Sequence, residues 1–231
     1  MSRPTTIITG AAGQLGAAVV STFHRQGARL VLLDRQADAL QQRFAHIPDA
    51  VLLAVDLQDR SALARQLDQA FEQVGRFDVL CHLAGGFRMG EAVHETSADT
   101  WDFLMGLNAA SLLNVAAAVV PRLLAQGSGK IVTVGAGGAL KGAGQMGAYA
   151  ASKSALMRLT ESLSAELRDR GVNVNCVLPS TLDTPANRAA MPDADAARWV
   201  TPQALADVVA FLASDAASAI HGAMIPVYGR V

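Results

Sequence analysis

Lysine, tyrosine, tryptophan and cysteine are all scarce in this chain of 231 residues, which holds three, two, two and two of them. The two cysteines, Cys81 and Cys176, both lie in apolar strand-like runs. That excludes a disulfide framework and leads us to expect buried free thiols in a reducing compartment. The formal net charge is -1 and no run of lysine or arginine occurs, so the electrostatic footprint of a nucleic-acid or anionic-membrane binder is missing. No uninterrupted apolar run reaches the length of a membrane span, and the N-terminus leads straight into a strand instead of a signal sequence. A cytoplasmic protein acting on a small-molecule substrate, with no nucleic acid, membrane or metal partner, is the resulting expectation. Proline-rich or serine-rich linkers and internal repeats are also absent, so residues 1–231 read as one domain.

What is present is a steady alternation of short apolar runs and longer helical patterns. Strands are predicted at 5–9, 29–33, 50–55, 77–83, 130–134, 172–178 and 223–227, where β-branched residues and leucine concentrate. Helices are predicted near 14–26, 37–46, 59–74, 97–125, 147–170 and 201–214. Such alternation implies right-handed crossovers and a parallel sheet covered on both faces. The expected fold class is therefore α/β, a Rossmann-type doubly wound parallel sheet of about seven strands. The longest irregular segment, from Pro179 to about Thr201, carries three prolines and would leave the C-terminal end of a strand. It reads as a substrate-covering loop, the other reading being a surface insertion.

Two clusters carry chemistry. Gly10, Gly13 and Gly16 follow the first strand and open the first helix, where backbone amides and the helix N-terminus can hold a pyrophosphate. Asp34 ends the next strand about 20 residues on, placed for the hydroxyls of an adenosine ribose. Its charge would repel a 2'-phosphate, so NAD(H) is expected over NADP(H); Arg35 beside it could pair with such a phosphate or be a solvated charge. Asp56, after the third strand, either contacts adenine or caps a helix starting near 57–59. The second cluster is Tyr149 and Lys153. Chance supplies roughly 0.03 Tyr-x-x-x-Lys matches in a chain with two tyrosines and three lysines. At helical spacing the two side chains share a face, so the ammonium can favour the ionised phenol and let it pass a proton.

With the glycine turn, Asp34, Asp56, Ala84-Gly85, Asn108 and Tyr149-x-x-x-Lys153 in this order, the chain resembles the short-chain dehydrogenase/reductase family along its whole length. The resemblance implies that Tyr149 is the proton donor or acceptor and that Lys153 binds the nicotinamide ribose and lowers the tyrosine pKa. It also implies that Asn108, on a long helix, holds a relay water. The implied cofactor cleft is made by Gly10, Gly13, Leu15, Gly16, Asp34, Asp56, Ala84, Gly85, Lys153, Pro179, Leu182 and Thr184. The backbone near Leu182, with Thr184, would hold the carboxamide. In this family the helices at 103–125 and 150–167 pair across a two-fold axis, which implies a homodimer or homotetramer.

Four positions depart from the usual pattern. Gly13 comes one position early, His82-Leu83-Ala84-Gly85 replaces Asn-Asn-Ala-Gly, and Pro179-Ser180 replaces Pro-Gly. Thirteen residues before Tyr149, the serine that bonds a substrate carbonyl is Ala136, and residues 135–139 contain no hydroxyl. Thr133 is the nearest replacement by sequence. The Gly-x-x-Gly-x-Leu-Gly turn, Ala-Gly-Gly after the fourth strand, the alanine at 136 and the stretch from Leu178 to Asp195 resemble the dihydropteridine reductase-like branch. This implies hydride transfer to a conjugated ring, where Asn187 and Arg188 contact a polar heterocycle or order the loop. The alternatives are reduction or oxidation of an aldehyde, ketone or secondary alcohol, and an NAD(H)-sensing module without turnover.

Overall fold

The structure is a computed structural model and describes residues 3–231. Its strands are β1 (Thr5–Thr9), β2 (Arg29–Asp34), β3 (Val51–Ala54), β4 (Val79–His82), β5 (Gly129–Val134), β6 (Val172–Pro179) and β7 (Met224–Val227). The helices are α1 (Gln14–Arg25), α2 (Ala37–Phe44), α3 (Arg60–Val74), α4 (Ala98–Met105), α5 (Ser111–Gln126), α6 (Gly147–Leu167), α7 (Pro185–Ala190) and α8 (Pro202–Leu212). All seven strands pair in parallel in the order β3-β2-β1-β4-β5-β6-β7. The chain reverses direction across the sheet between β1 and β4, which opens a crevice at the strands' C-terminal ends.

Both sheet faces are apolar because both are covered. Ile8, Leu30, Leu32, Val132 and Val177 face Val19 and Val20 of α1 and Leu205 and Val209 of α8. Their neighbours Ile7, Val31, Leu33, Leu80, Ile131 and Val174 face Leu63 and Leu67 of α3 and Val115 and Val119 of α5. The period of two in a strand sends adjacent residues to opposite layers, so the runs read as continuously hydrophobic. Both cysteines are buried and free, as expected.

Two predicted elements differ from what the structure contains. The helix expected over 97–125 is broken by a π-turn at Gly106–Ala110, between α4 and α5. The Ser111 hydroxyl donates to the Leu107 carbonyl at 2.6 Å, and a side chain on Gly106 would run into the Gln58 amide. The widened turn carries Asn108 fully inside, at 0% exposure. The combined stretch Ala98–Gln126 is, by length and composition, apolar enough to cross a membrane. Half of its most apolar window is buried in the core, so the hydropathy is that of a core helix with one uncovered face. The segment from Pro179 to Thr201 is also more ordered than predicted: Thr184 caps α7 by accepting from the Asn187 amide at 3.2 Å, and Leu182 bridges Val200.

One buried histidine joins β1, β4 and the π-turn. Thr9 Oγ accepts from the amides of Leu83 (3.1 Å) and Ala84 (3.2 Å), so its own proton goes to His82 Nδ1 at 3.1 Å. His82 Nε2–H then donates to Ser111 Oγ at 3.2 Å. Burial, reinforced by the charge of Lys153, pushes the imidazole down to about 3. The unfolded chain takes up this proton near pH 6.5 and the folded chain does not until about 3. The histidine's contribution is therefore intact above pH 6.5 and is lost as pH falls. Between pH 6.5 and 5, above the carboxylate range, the unfolding free energy should drop with a slope approaching about 1.4 kcal/mol per pH unit. Urea unfolding of the wild type and His82→Gln checks this; equal slopes would assign the acid sensitivity elsewhere.

Candidate active site

The glycine turn is shaped by contacts that only some of its residues require. Gly10 has φ +66°, and a Cβ there would stand 3.0 Å from the Ala84 backbone, so the turn lies directly against the chain leaving β4. A Cβ on Gly16 would collide with the carbonyls of Gly10 and Ala11. Gly13 is less constrained: its φ of -72° is ordinary, and its amide donates to Gly10 O at 3.1 Å. Leu15 packs its side chain on the core, leaving its amide in the first turn of α1, where helix geometry provides no internal acceptor.

Asp34 sits at the rim of this turn. Its carboxylate accepts from the amides of Ala12 and Gln36, each at 3.1 Å, which ties the end of β2 to the glycines. Arg35 is exposed. Asp56 is also exposed and accepts from the Gln58 amide at 2.9 Å. The helix-capping reading of Asp56 is corrected: the cap of α3 is Asp59, which accepts from Ala62 N at 2.9 Å. Across the crevice, a Cβ on Gly85 would lie 2.9 Å from Asn108 Oδ1 and 3.0 Å from Lys153 Nζ. Glycine at 85 lets these two groups converge on the chain.

Tyr149 and Lys153 occupy the first turns of α6. Lys153 is buried, and its ammonium donates to the Val134 carbonyl at 2.8 Å. Burial pushes Lys153 down to about 8 and Tyr149 up to about 12. The Tyr149 phenol sits under the ring of Phe87, edge-on at 4.8 Å between centroids, and loss of water around it dominates.

The Asn108 side chain is engaged within the fold. Its Oδ1 accepts from Gly86 N at 2.8 Å, and its Nδ2 donates to Gly86 O at 3.0 Å and to Ser152 Oγ at 2.9 Å. Ser152 in turn donates to the Tyr149 carbonyl at 2.8 Å. Both amide protons are used within the fold, so the side chain clamps the strand exit to the catalytic helix.

Ala136 is 7% exposed and packs in an apolar cluster with Leu112, Leu156, Leu178, Tyr149 and Tyr228. Thr133 cannot replace the missing serine, since its hydroxyl is buried and bonded to Thr160 at 2.9 Å. Pro179 ends β6, and Ser180 donates to the Tyr228 carbonyl at 2.8 Å. The open choice for the loop residues is decided toward ordering the loop. Asn187 donates to Leu182 O at 2.8 Å, and Arg188 pairs with Asp183, holding that carboxyl below its usual range. Phe87, Ser152 and Ser111 were missed in the sequence. Only Phe87 left a trace, an aromatic following a strand-ending Ala-Gly-Gly in a chain that is 5% aromatic.

A cavity of about 270 Å³ adjoins Tyr149, walled by Arg88, Glu91, Thr100, Gln145 and Met146. A larger one of about 620 Å³ lies away from the chemistry, on the outer faces of α4, the π-turn, α5 and α6, among Met105, Ala109, Leu113, Ala155 and Leu159.

A family model described as enoyl-(acyl carrier protein) reductase matches residues 10–229. The rat dehydrogenase/reductase SDR family member 6 is 29% identical over 238 residues, covering 96% of this chain and 95% of that protein. Meso-2,3-butanediol dehydrogenase of Serratia marcescens is 33% identical over 238 residues, covering 96% and 92%. The crystal structure of gox2181 superposes with a TM-score of 0.92 at 26% identity, covering 99% of this chain and 95% of that one. The chain belongs to the short-chain dehydrogenase/reductase family and is an NAD(P)-dependent oxidoreductase.

Proposed function

We propose that this enzyme uses NADH to reduce a conjugated, imine-containing ring of the quinonoid dihydropterin kind, with Tyr149 delivering the proton. The observation that carries the reading is Ala136. Ala136 itself carries no hydroxyl where the serine implied by the family would donate to a carbonyl oxygen, and such a donor contributes a few kcal/mol to a carbonyl transition state. A conjugated ring spreads developing charge over its own atoms and depends less on that donor. Phe87, 55% exposed beside Tyr149, offers a flat apolar surface to such a ring.

A nicotinamide bound in the crevice supplies the hydride. Tyr149, with its phenol near 12, is protonated throughout the neutral range and so serves as the donor in the reductive direction. Lys153 keeps its charge below about pH 8, where it favours the tyrosinate left after transfer. Asp34 meets the adenosine ribose, the amides of the first turn of α1 meet the pyrophosphate, and Thr184 with the backbone at Leu182 meets the carboxamide. A second reading, oxidation or reduction at a secondary alcohol or ketone, is favoured by the butanediol dehydrogenase relative. We further propose a homodimer formed through the apolar groove on α4, α5 and α6, where Leu113 is 52% exposed.

Four experiments test these readings. Tyr149→Phe should cut kcat with a quinonoid pterin by about 100-fold or more; near-normal turnover would remove the tyrosine from the chemistry. A carbonyl and diol panel run beside the pterin assigns the substrate, and turnover of the panel alone would establish the second reading. Fluorescence titration should show NADH binding about tenfold or more tighter than NADPH, the reverse order refuting the role of Asp34. In light scattering, Leu113→Glu should shift the dimer to monomer; an unchanged dimer would place the interface elsewhere.

A further inference from the structure

We infer that His82 is a positioning residue of the active site, acting through Ser111 on the π-turn that carries Asn108. Every proton in this network has one place to go. Thr9 Oγ spends its lone pairs on the amides of Leu83 and Ala84, so it donates to His82 Nδ1. That leaves Nε2 as the protonated nitrogen, donating to Ser111 Oγ at 3.2 Å. Ser111 then donates onward to Leu107 O at 2.6 Å, inside the π-turn. Leu107 precedes Asn108, whose amide clamps Gly86 and Ser152, and Ser152 bonds the Tyr149 carbonyl. A chain of buried and part-buried hydrogen bonds, carried through the Leu107–Asn108 peptide, therefore runs from the end of β1 to the start of the catalytic helix.

A π-turn is strained relative to an α-helix and persists only where something holds it. Here the hold is applied from the sheet, and it needs a side chain with two nitrogens about one ring apart. Asparagine in place of His82 would keep an acceptor for Thr9 and lose the reach to Ser111. Glutamine would extend an amide N–H to the position of Nε2. The inference rests on the Tyr149–Lys153 site and on no particular substrate.

The test compares wild type, His82→Asn, His82→Gln and Ser111→Ala, with rates normalised to NADH-binding sites and the best substrate from the panel above. His82→Asn and Ser111→Ala should each lower kcat about tenfold while the Kd for NADH moves less than twofold. His82→Gln should return kcat to within threefold of wild type. Hydrogen exchange gives a readout that needs no substrate: amides 107–112 should exchange about tenfold faster in His82→Asn and Ser111→Ala, and near the wild-type rate in His82→Gln. Equal kcat values for the asparagine and glutamine variants, or Ser111→Ala with unchanged kcat and unchanged exchange, would overturn the inference. Should His82→Asn fail to bind NADH, Ser111→Ala decides alone.

Discussion

The Asn108 side chain is the contact on which the active site depends. Its amide holds both backbone groups of Gly86 on one side and Ser152 on the other. The chain leaving the sheet and the helix bearing Tyr149 and Lys153 are thereby fixed to each other by side-chain bonds inside the core. An unpaired amide in that position would cost a few kcal/mol, so the clamp is all or nothing. It also explains why glycine stands at 85: any side chain there would wedge between Asn108 and Lys153.

Asn108 reaches this position only because the helix is not regular. The π-turn at Gly106–Ala110 shifts the residues after it out of α-helical phase, and Gln58 and Ser111 brace it from two sides. Beside the π-turn, the groove on the outer faces of α4, α5 and α6 is lined mostly by apolar side chains.

Electrostatics around the catalytic pair are governed by burial. Lys153 is pushed down and Tyr149 up because both lose water, and the lysine's nearest acceptor is the Val134 carbonyl. Ala136 adds no hydroxyl beside the phenol and Phe87 adds an aromatic edge, while Arg88, Glu91, Thr100 and Gln145 wall the cavity next to it.

The sheet and most helix limits were legible in the sequence because they follow from local periodicity and from turn residues. Val79–His82 and Val172–Pro179 are buried on both faces, and Gly75 and Gly127 end helices with positive φ. Helix α7 was missed because Pro179–Thr201 is rich in proline, and its order comes from Thr184, Asp183 and Val200. Asp34, Tyr149 and Lys153 also came from local spacing, while Ala136 stood out only through the family resemblance. What Tyr149's proton affinity is, what Asn108 bonds and which way His82 is protonated could be decided only by the folded chain. Those properties arise where residues 9, 82, 86, 108, 111 and 152, distant in sequence, share the last few ångströms of a buried space.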